Sequence, residues 1–291
     1  MTSGPCVGVK ITAGLGNQMF QYAAGLALAQ RLGAALVCDV SHYRRQRRQD
    51  RPLGLEQFGI AIEADRVPPY KPGRRLAVAL GLMHRRFRGA SVLRQREGFD
   101  PAFLSAGAPT ALVGYFQSWR YFSGYEASIR QAFDTGSLST ARTAALEAEI
   151  RAAEHPVAVH VRRGDYLVSP QASAYFGVLG PDYYLAAREA LEARIPRPTY
   201  FLFSDDPERA RTELTDWPGL RLVAGYSGAE DLRLMSLCRH FVIANSTFSW
   251  WGAWLGAAPD KLVIGPQRWF GPDYPLPVDV DDRLLHGWLR I

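Results

Sequence analysis

The chain has 291 residues, 47% of them apolar, with 7 Trp, 13 Tyr and 14 Phe, which excludes disorder and leaves room for one large core or two ordinary ones. Its formal net charge is +6 at pH 7, yet residues 41–100 alone hold fourteen Lys/Arg against six Asp/Glu, a local balance of +8, so the remainder is slightly acidic. Cys6, Cys38 and Cys238, scattered among apolar residues, exclude a disulfide framework and a zinc pattern, and the longest apolar run, 76–83, falls far short of the roughly 20 residues of a membrane span.

From the N-terminus, Val7, Val9 and Ile11 alternate with smaller or polar residues and predict a strand. Met1-Thr2-Ser3-Gly4-Pro5 enters it without the apolar stretch of a secretory leader, so a soluble, cytoplasmic protein is expected. Residues 12–18 turn the chain, 19–32 predict a helix ending at Gly33, and 34–40 return to a strand. Gly14 and Gly16 let backbone approach a ligand closely, and Asn17 and Gln18 are expected to project amides from the helix's first turn. The dinucleotide fingerprint is incomplete, because Met19 stands where its third glycine belongs. Asp39 nonetheless suits a ribose hydroxyl, so a nicotinamide-dependent oxidoreductase using Gly14, Gly16 and Asp39 is one open reading.

Residues 41–110 are irregular and carry Arg44-Arg45-Gln46-Arg47-Arg48, Arg85-Arg86-Phe87-Arg88 and Pro68-Pro69-Tyr70-Lys71-Pro72. A basic region attracts anionic partners. With no nucleic-acid module beside it, weak contact of 41–100 with the inner face of a membrane is expected rather than DNA or RNA, and a solvated face accounts for it equally well. A strand at 111–116 and a helix at 140–154 follow. His155-Pro156 is the expected joint, since helices rarely run through the residue before proline, which divides the chain into an N-terminal lobe, 1–155, and a C-terminal lobe, 156–291.

In the second lobe, strands at 157–161, 199–204, 220–223, 241–244 and 261–265 alternate with helices at 181–193, 207–214, 229–238 and 248–255. Such alternation predicts a parallel sheet covered on both faces. The expected fold is α/β, with two Rossmann-like lobes, a cleft between them, and ligands at the carboxyl ends of the strands.

Three of those strand ends carry chemistry. Arg162 and Arg163 follow a buried strand and suit bidentate pairing with phosphate, although paired arginines also occur in plain surface networks. Ser204-Asp205-Asp206-Pro207 offers carboxylate acceptors for a base or ribose, or else a helix cap made by Ser204 or Asp205. Asn245, Ser246, Thr247 and Ser249 stand between a buried strand and an aromatic helix and exceed what one cap needs, which suits a diphosphate cradle. Trp250 and Trp254, four apart, share a helix face as core residues, while Trp251 lies differently; presented at the surface, the tryptophans would instead serve a non-catalytic glycan-binding module.

Taken in order, Gly14-Leu15-Gly16-Asn17-Gln18-Met19-Phe20-Gln21-Tyr22, His160-Val161-Arg162-Arg163-Gly164-Asp165-Tyr166, Phe203-Ser204-Asp205-Asp206 and Asn245-Ser246-Thr247-Phe248-Ser249-Trp250-Trp251 closely resemble the bacterial α1,2-fucosyltransferases, glycosyltransferase family 11. The resemblance implies a GT-B fold, GDP-fucose as donor with no metal or cofactor, and inverting transfer to the 2-OH of a galactoside in an oligosaccharide or lipid-linked glycan. It places His160, Arg162 and Arg163 in the H-x-R-R motif with Arg162 on the donor phosphates. Asp205 would recognise guanosine, Ser246 and Thr247 would hold the pyrophosphate, and the first lobe would shape the acceptor side. Asp165 is a candidate general base weakened by its arginine neighbours, or else orients Arg162 or Arg163; His160 stands behind it and better suits a structural role.

Overall fold

The structure is a computed structural model and describes residues 4–45, 51–62, 89–95, 98–275 and 280–291. The cluster at 85–88, the proline group at 68–72 and most of the cluster at 44–48 lie outside the described residues. The chain forms two compact units, Met1–Phe133 and Asp134–Ile291.

In the first unit the order is β1 (Cys6–Lys10), α1 (Leu15–Arg31), β2 (Ala35–Asp39), α2 (Ser41–Arg45), β3 (Ser91–Arg94), β4 (Thr110–Val113) and α3 (Glu126–Ala132). The strands form a parallel sheet in the order β2-β1-β4-β3. Val7, Val9, Val37, Ala111 and Leu112 are buried, as expected of strands covered on both faces. The sequence reading missed β3, whose short, partly exposed and basic stretch is what an edge strand tolerates.

The second unit runs α4 (Ala144–Ala152), β5 (Pro156–Val161), α5 (Pro170–Phe176), α6 (Pro181–Glu192), β6 (Thr199–Ser204), α7 (Pro207–Glu213), β7 (Arg221–Val223), α8 (Gly228–Leu237), β8 (His240–Val242), α9 (Thr247–Leu255), β9 (Val263–Gly265) and β10 (Leu289–Arg290). Its sheet is parallel, in the order β10-β9-β8-β5-β6-β7. Val157, Val159, Val161, Leu202, Val242 and Ile264 make a core with Ala187 and Leu191 of α6. All five strands expected in the C-terminal lobe are present.

The boundary between units falls at Phe133 and Asp134 rather than at His155-Pro156. Side-chain bonds explain the shift. Buried Glu147 of α4 accepts from Arg233 of α8 at 3.0 Å and from the Thr143 hydroxyl at 2.9 Å, and the Thr135 and Ser236 hydroxyls bond at 2.9 Å. These contacts bind 134–152 to the second unit, and the proline breaks only the local helix.

Topology places a crevice in each unit. From β5 the chain steps outward through β6 and β7, then crosses to β8 and continues the other way through β9 and β10. The connections therefore diverge between β5 and β8, and in the first unit they diverge between β1 and β4. At such a switch point an open parallel sheet leaves ligand space beyond the strands' carboxyl ends.

Candidate active site

At the carboxyl end of β5, the Arg162 guanidinium bridges two carboxylates: Nη2 lies 2.5 Å from Asp165 Oδ1 and Nη1 3.0 Å from Asp205 Oδ2. Asp205 follows the neighbouring strand β6, and its Oδ1 accepts the backbone N–H of Arg163 at 2.8 Å. Gly164 permits this approach, because a Cβ there would overlap Asp205 Oδ2. Burial alone would lower the Arg162 pKa, but Asp205 and Asp165 outweigh it and hold it raised, so the cation persists. Its Cζ lies 5.6 Å from the centre of the Tyr166 ring, and the Tyr166 hydroxyl donates to Asn245 O at 2.9 Å. That bond ties the loop after β5 to the loop after β8, the two lips of the switch point.

Arg163, where the chain leaves β5 and enters a short turn at φ −128° and ψ −68°, points the other way. Its side chain is 2% exposed, pairs with Glu213 at 2.5 Å, and donates to Arg162 O at 2.8 Å and Leu179 O at 3.0 Å. Of the two arginines, only Arg162 is accessible to a ligand; Arg163 is committed inside the protein, which corrects its expected place on the donor.

Helix α7 is capped by neither Ser204 nor Asp205. Asp206 Oδ1 accepts from Arg209 N–H at 3.3 Å, and Ser204 Oγ accepts from Asp206 N–H at 3.0 Å. This division frees Asp205 for Arg162. It also commits both Asp205 oxygens to the protein, so the expected reading of a base by this carboxylate finds it already engaged.

Beyond β8, Ser246 caps α9 by accepting from Phe248 N–H at 3.3 Å, and Ser249 donates back to Ser246 O at 3.2 Å. The Asn245 amide donates to Phe176 O and Gly177 O at 2.8 Å and to Trp269 O at 3.0 Å. Three of the four polar residues thus shape the loop. Thr247, half-buried in the first turn, has no side-chain hydrogen bond among the described residues. Trp250, Trp251 and Trp254 are all buried and pack on one another. Trp251 therefore does not differ from its neighbours in burial, and none of the three presents a face to a glycan.

His160 is buried, its ring 5.8 Å from that of Phe248, and its Nδ1 has no partner. Burial, with the Arg162 and Arg163 charges beside it, drives the imidazole pKa down to about 3, so it is neutral at physiological pH and a poor base. A further residue escaped the sequence reading. Asp231 of α8 has a buried Oδ1 without a partner, and burial followed by Glu230 raises its pKa to about 7. A Cβ at Gly228, where α8 begins, would lie 3.8 Å from the Phe248 ring, so this turn, Phe248 and His160 adjoin. Ser227 and Glu230 already form a complete capping box, which leaves the second acid of Glu230-Asp231 unexplained as a cap. That surplus acid was the available signal.

In the first unit, the turn after β1 places Ala13, not a glycine, at φ 65°. Gln18 does not project outward: it is buried, its Nε2 donates to Ala13 O at 3.0 Å and Pro52 O at 2.9 Å, and its Oε1 accepts from Gly54 N–H at 2.8 Å. Gln21 accepts from Thr12 N–H at 2.8 Å and donates to Thr12 Oγ1 and Gly114 O at 3.0 Å. Gln21→Leu leaves that N–H and carbonyl unpaired, and a loss of about 1–3 kcal/mol is expected in urea unfolding. Asn17 remains half-buried at the turn. Met19 is buried, and Asp39 accepts from Ser41 N–H at 2.9 Å, so neither residue supports the nicotinamide reading.

Two parallel α/β sheets, with an anchored guanidinium and a capped helix start at the switch point of the second, define a GT-B-like protein. The chain belongs to glycosyl transferase family 11, whose model matches residues 103–289. It is 31% identical to the O-antigen biosynthesis glycosyltransferase WbnK of Escherichia coli over 89% of this chain and 93% of that protein. Identity to the E. coli alpha-1,2-colitosyltransferase is 28% over 97% of each, and to galactoside alpha-(1,2)-fucosyltransferase 1 of Lagothrix lagotricha 29% over 86% of this chain and 64% of that protein. The fold is similar to that of Bradyrhizobium fucosyltransferase NodZ, with TM-score 0.52 and 17% identity over 90% of this chain and 95% of that one. These relatives give no support to membrane contact by the basic region, and among the described residues no helix is long and apolar enough to cross a membrane.

Proposed function

We propose that the protein transfers L-fucose from GDP-β-L-fucose to the 2-OH of a galactoside, in an oligosaccharide or lipid-linked glycan, with inversion at the anomeric carbon. The observation that carries this reading is Arg162, held charged and oriented by Asp165 and Asp205 at the β5–β8 switch point, beside the first turn of α9. A guanidinium has five N–H donors, so two carboxylates do not exhaust it. Helix-start N–H groups add a second cationic element. Together they suit the charge that grows on departing GDP and supply it without metal. The names of the family relatives, an alpha-1,2-colitosyltransferase and an alpha-(1,2)-fucosyltransferase, support the linkage and the sugar class.

In this reaction the acceptor O2 attacks C1 of fucose opposite the nucleotide. The bond from C1 to phosphate oxygen breaks with its electrons remaining on GDP, and the hydroxyl proton passes from O2 to solvent water, with Asp165 as the carboxylate that would relay it. Asp165, bonded to Arg162, serves first to orient that guanidinium. The guanine N1–H and 2-amino groups are donors, and the part-exposed carboxylate of Asp231, in the first turn of α8 next to Phe248, is the acceptor we assign to them.

A pH dependence follows from the raised Asp231 pKa of about 7. Below that value the free protein holds the carboxyl protonated, and accepting guanine donors requires its ionisation. GDP affinity should therefore rise with pH up to about 7 and level off above, by at most tenfold per pH unit. Calorimetry on wild type and Asp231→Asn, compared as a difference, cancels the titration of GDP itself; identical pH profiles would dismiss Asp231 as the guanine acceptor.

Incubation with GDP-fucose and β-galactosides in EDTA should release GDP and yield an α-linked product at O2, read by NMR. A folded protein that binds no GDP ends this reading. The alpha-1,2-colitosyltransferase relative favours colitose as a second transferred sugar, and the ratio of kcat/KM for the two nucleotide sugars decides between them.

A further inference from the structure

We propose that Asn245 is a positioning residue, whose buried side-chain amide closes the segment that follows β5 back onto the loop after β8 and thereby sets Arg162 for its ligand. That the ligand is a departing diphosphate rests on the transfer reading above; the closure rests on its own geometry.

The segment runs from Arg162 through the short turn Gly164–Leu167 to α5 and Gly177. It carries two of the groups that touch the guanidinium, the Asp165 carboxylate and the Tyr166 ring. Apolar burial does little to hold it in place, since α5 has seven residues and none of them is buried. A helix that short does not stand alone. At its start, Ser169 Oγ accepts from Ala172 N–H at 3.1 Å and the Ser173 hydroxyl donates to Tyr166 O at 2.8 Å, bonds that stay within the segment.

The other end is different. All four carbonyls that a helix leaves without an internal partner are here taken by residues remote in sequence. Ala174 O accepts from Asp273 N–H at 3.2 Å and Tyr175 O from Gly271 N–H at 3.1 Å. A Cβ at Gly271 would overlap Ala174 O, so this approach requires glycine. Phe176 O and Gly177 O go to Asn245, whose two amide N–H groups are shared between these carbonyls and Trp269 O. One side chain thus ties the end of α5 to the loops after β8 and β9. The backbone of the same residue closes the ring: Asn245 O accepts the Tyr166 hydroxyl at 2.9 Å, and the Tyr166 ring stacks on Phe176 at 4.7 Å and 8°.

Asn245 is 2% exposed and its amide is engaged on three carbonyls, so it acts on a ligand through the segment it holds. Once the segment is released, Asp165 and Tyr166 leave the guanidinium, and Asp205 alone keeps it. The ligand then meets an Arg162 that is correctly placed for only part of the time.

The test uses the full chain with Asn245→Ala, Tyr166→Phe and Arg162→Ala, and GDP as the probe. Asn245→Ala leaves the last two carbonyls of α5 without donors, so amide hydrogen exchange over 170–177 should rise about tenfold while that of β5 keeps its wild-type rate. GDP should bind about tenfold more weakly, because the closed fraction enters the apparent affinity directly. Tyr166→Phe removes the hydroxyl bond to Asn245 O and keeps the stacked ring; it should weaken GDP in the same direction by about threefold, and it carries the test should Asn245→Ala not fold. The decisive readout comes from combining each with Arg162→Ala. GDP affinity of either double variant, followed by ligand-observed NMR, should equal that of Arg162→Ala within about twofold, because a residue that acts through the guanidinium has nothing left to position. A loss in that background as large as the loss in wild type overturns the proposal, and so does unchanged exchange over 170–177 in Asn245→Ala. A wild type that binds no GDP ends the transfer reading instead, and unchanged exchange in Asn245→Ala then still overturns the closure.

Discussion

Arg162→Ala is expected to lower kcat for fucosyl transfer by about 10²–10³, the loss seen when a preorganised donor to developing negative charge is removed. The deletion also leaves Asp165 and Asp205 without the cation that bridges them, so two carboxylates would then face an incoming diphosphate. GDP affinity should fall along with kcat. Arg162→Lys restores a charge but not the fork that holds two carboxylates at once, and should stay at least about tenfold below wild type. Folding should survive, because Arg162 lies at an accessible strand end and Asp205 keeps its bond from the Arg163 N–H. GDP release at saturating donor, together with a melting curve, checks both halves. Transfer by Arg162→Ala within threefold of wild type would dismiss the guanidinium from the leaving-group role.

Arg163→Ala should do the opposite and fail as a fold before it fails as a catalyst. Its guanidinium is buried against Glu213 and bonds the carbonyls of Arg162 and Leu179. Removing Arg163 leaves the Arg162 and Leu179 carbonyls without their donor and costs about 3 kcal/mol, the low end for a broken buried pair, because Glu213 is quarter-exposed and keeps Arg209 at 2.9 Å. A fall of about 6–10 °C in Tm is expected for a unit of this size. Arg163→Met combined with Glu213→Leu should recover much of the loss, since an apolar pair carries no desolvation penalty. Residual activity at low temperature would mark Arg163 as a positioning residue. A Tm equal to wild type would contradict its commitment to the interior.

The contrast between adjacent arginines shows where sequence reading stops. Arg162-Arg163 reads as a phosphate pair because both residues have the right chemistry, but the turn that follows β5 sends one toward Asp165 and Asp205 and the other into the protein against Glu213. Gln18 and Asn17 separate in the same way on the first turn of α1: one clamps Ala13 and Pro52, and the other stays half-exposed. Asp206, rather than Asp205, took the cap of α7, and only coordinates could show which carboxylate that left for Arg162. Asp231 was hidden because an acid in a first helical turn passes for an ordinary dipole partner until another pair of residues is seen to do the capping.

What the sequence determined by itself was everything periodic and local: the alternating strands of the C-terminal half, the helices between them, and the strand ends where polar residues interrupt apolar runs. Side-chain period and turn chemistry act over a few residues, so they are written in adjacent letters. Strand order was decided only in three dimensions, because pairing joins residues far apart in the chain and no local pattern states which strand lies beside β5. From that order came both switch points and the bridge from Asp205 to Arg162. The division between units followed the same logic: the bonds from Glu147 and Thr135 to α8 reach across some ninety residues of chain, and a proline could break the local helix at 155–156 without moving those contacts.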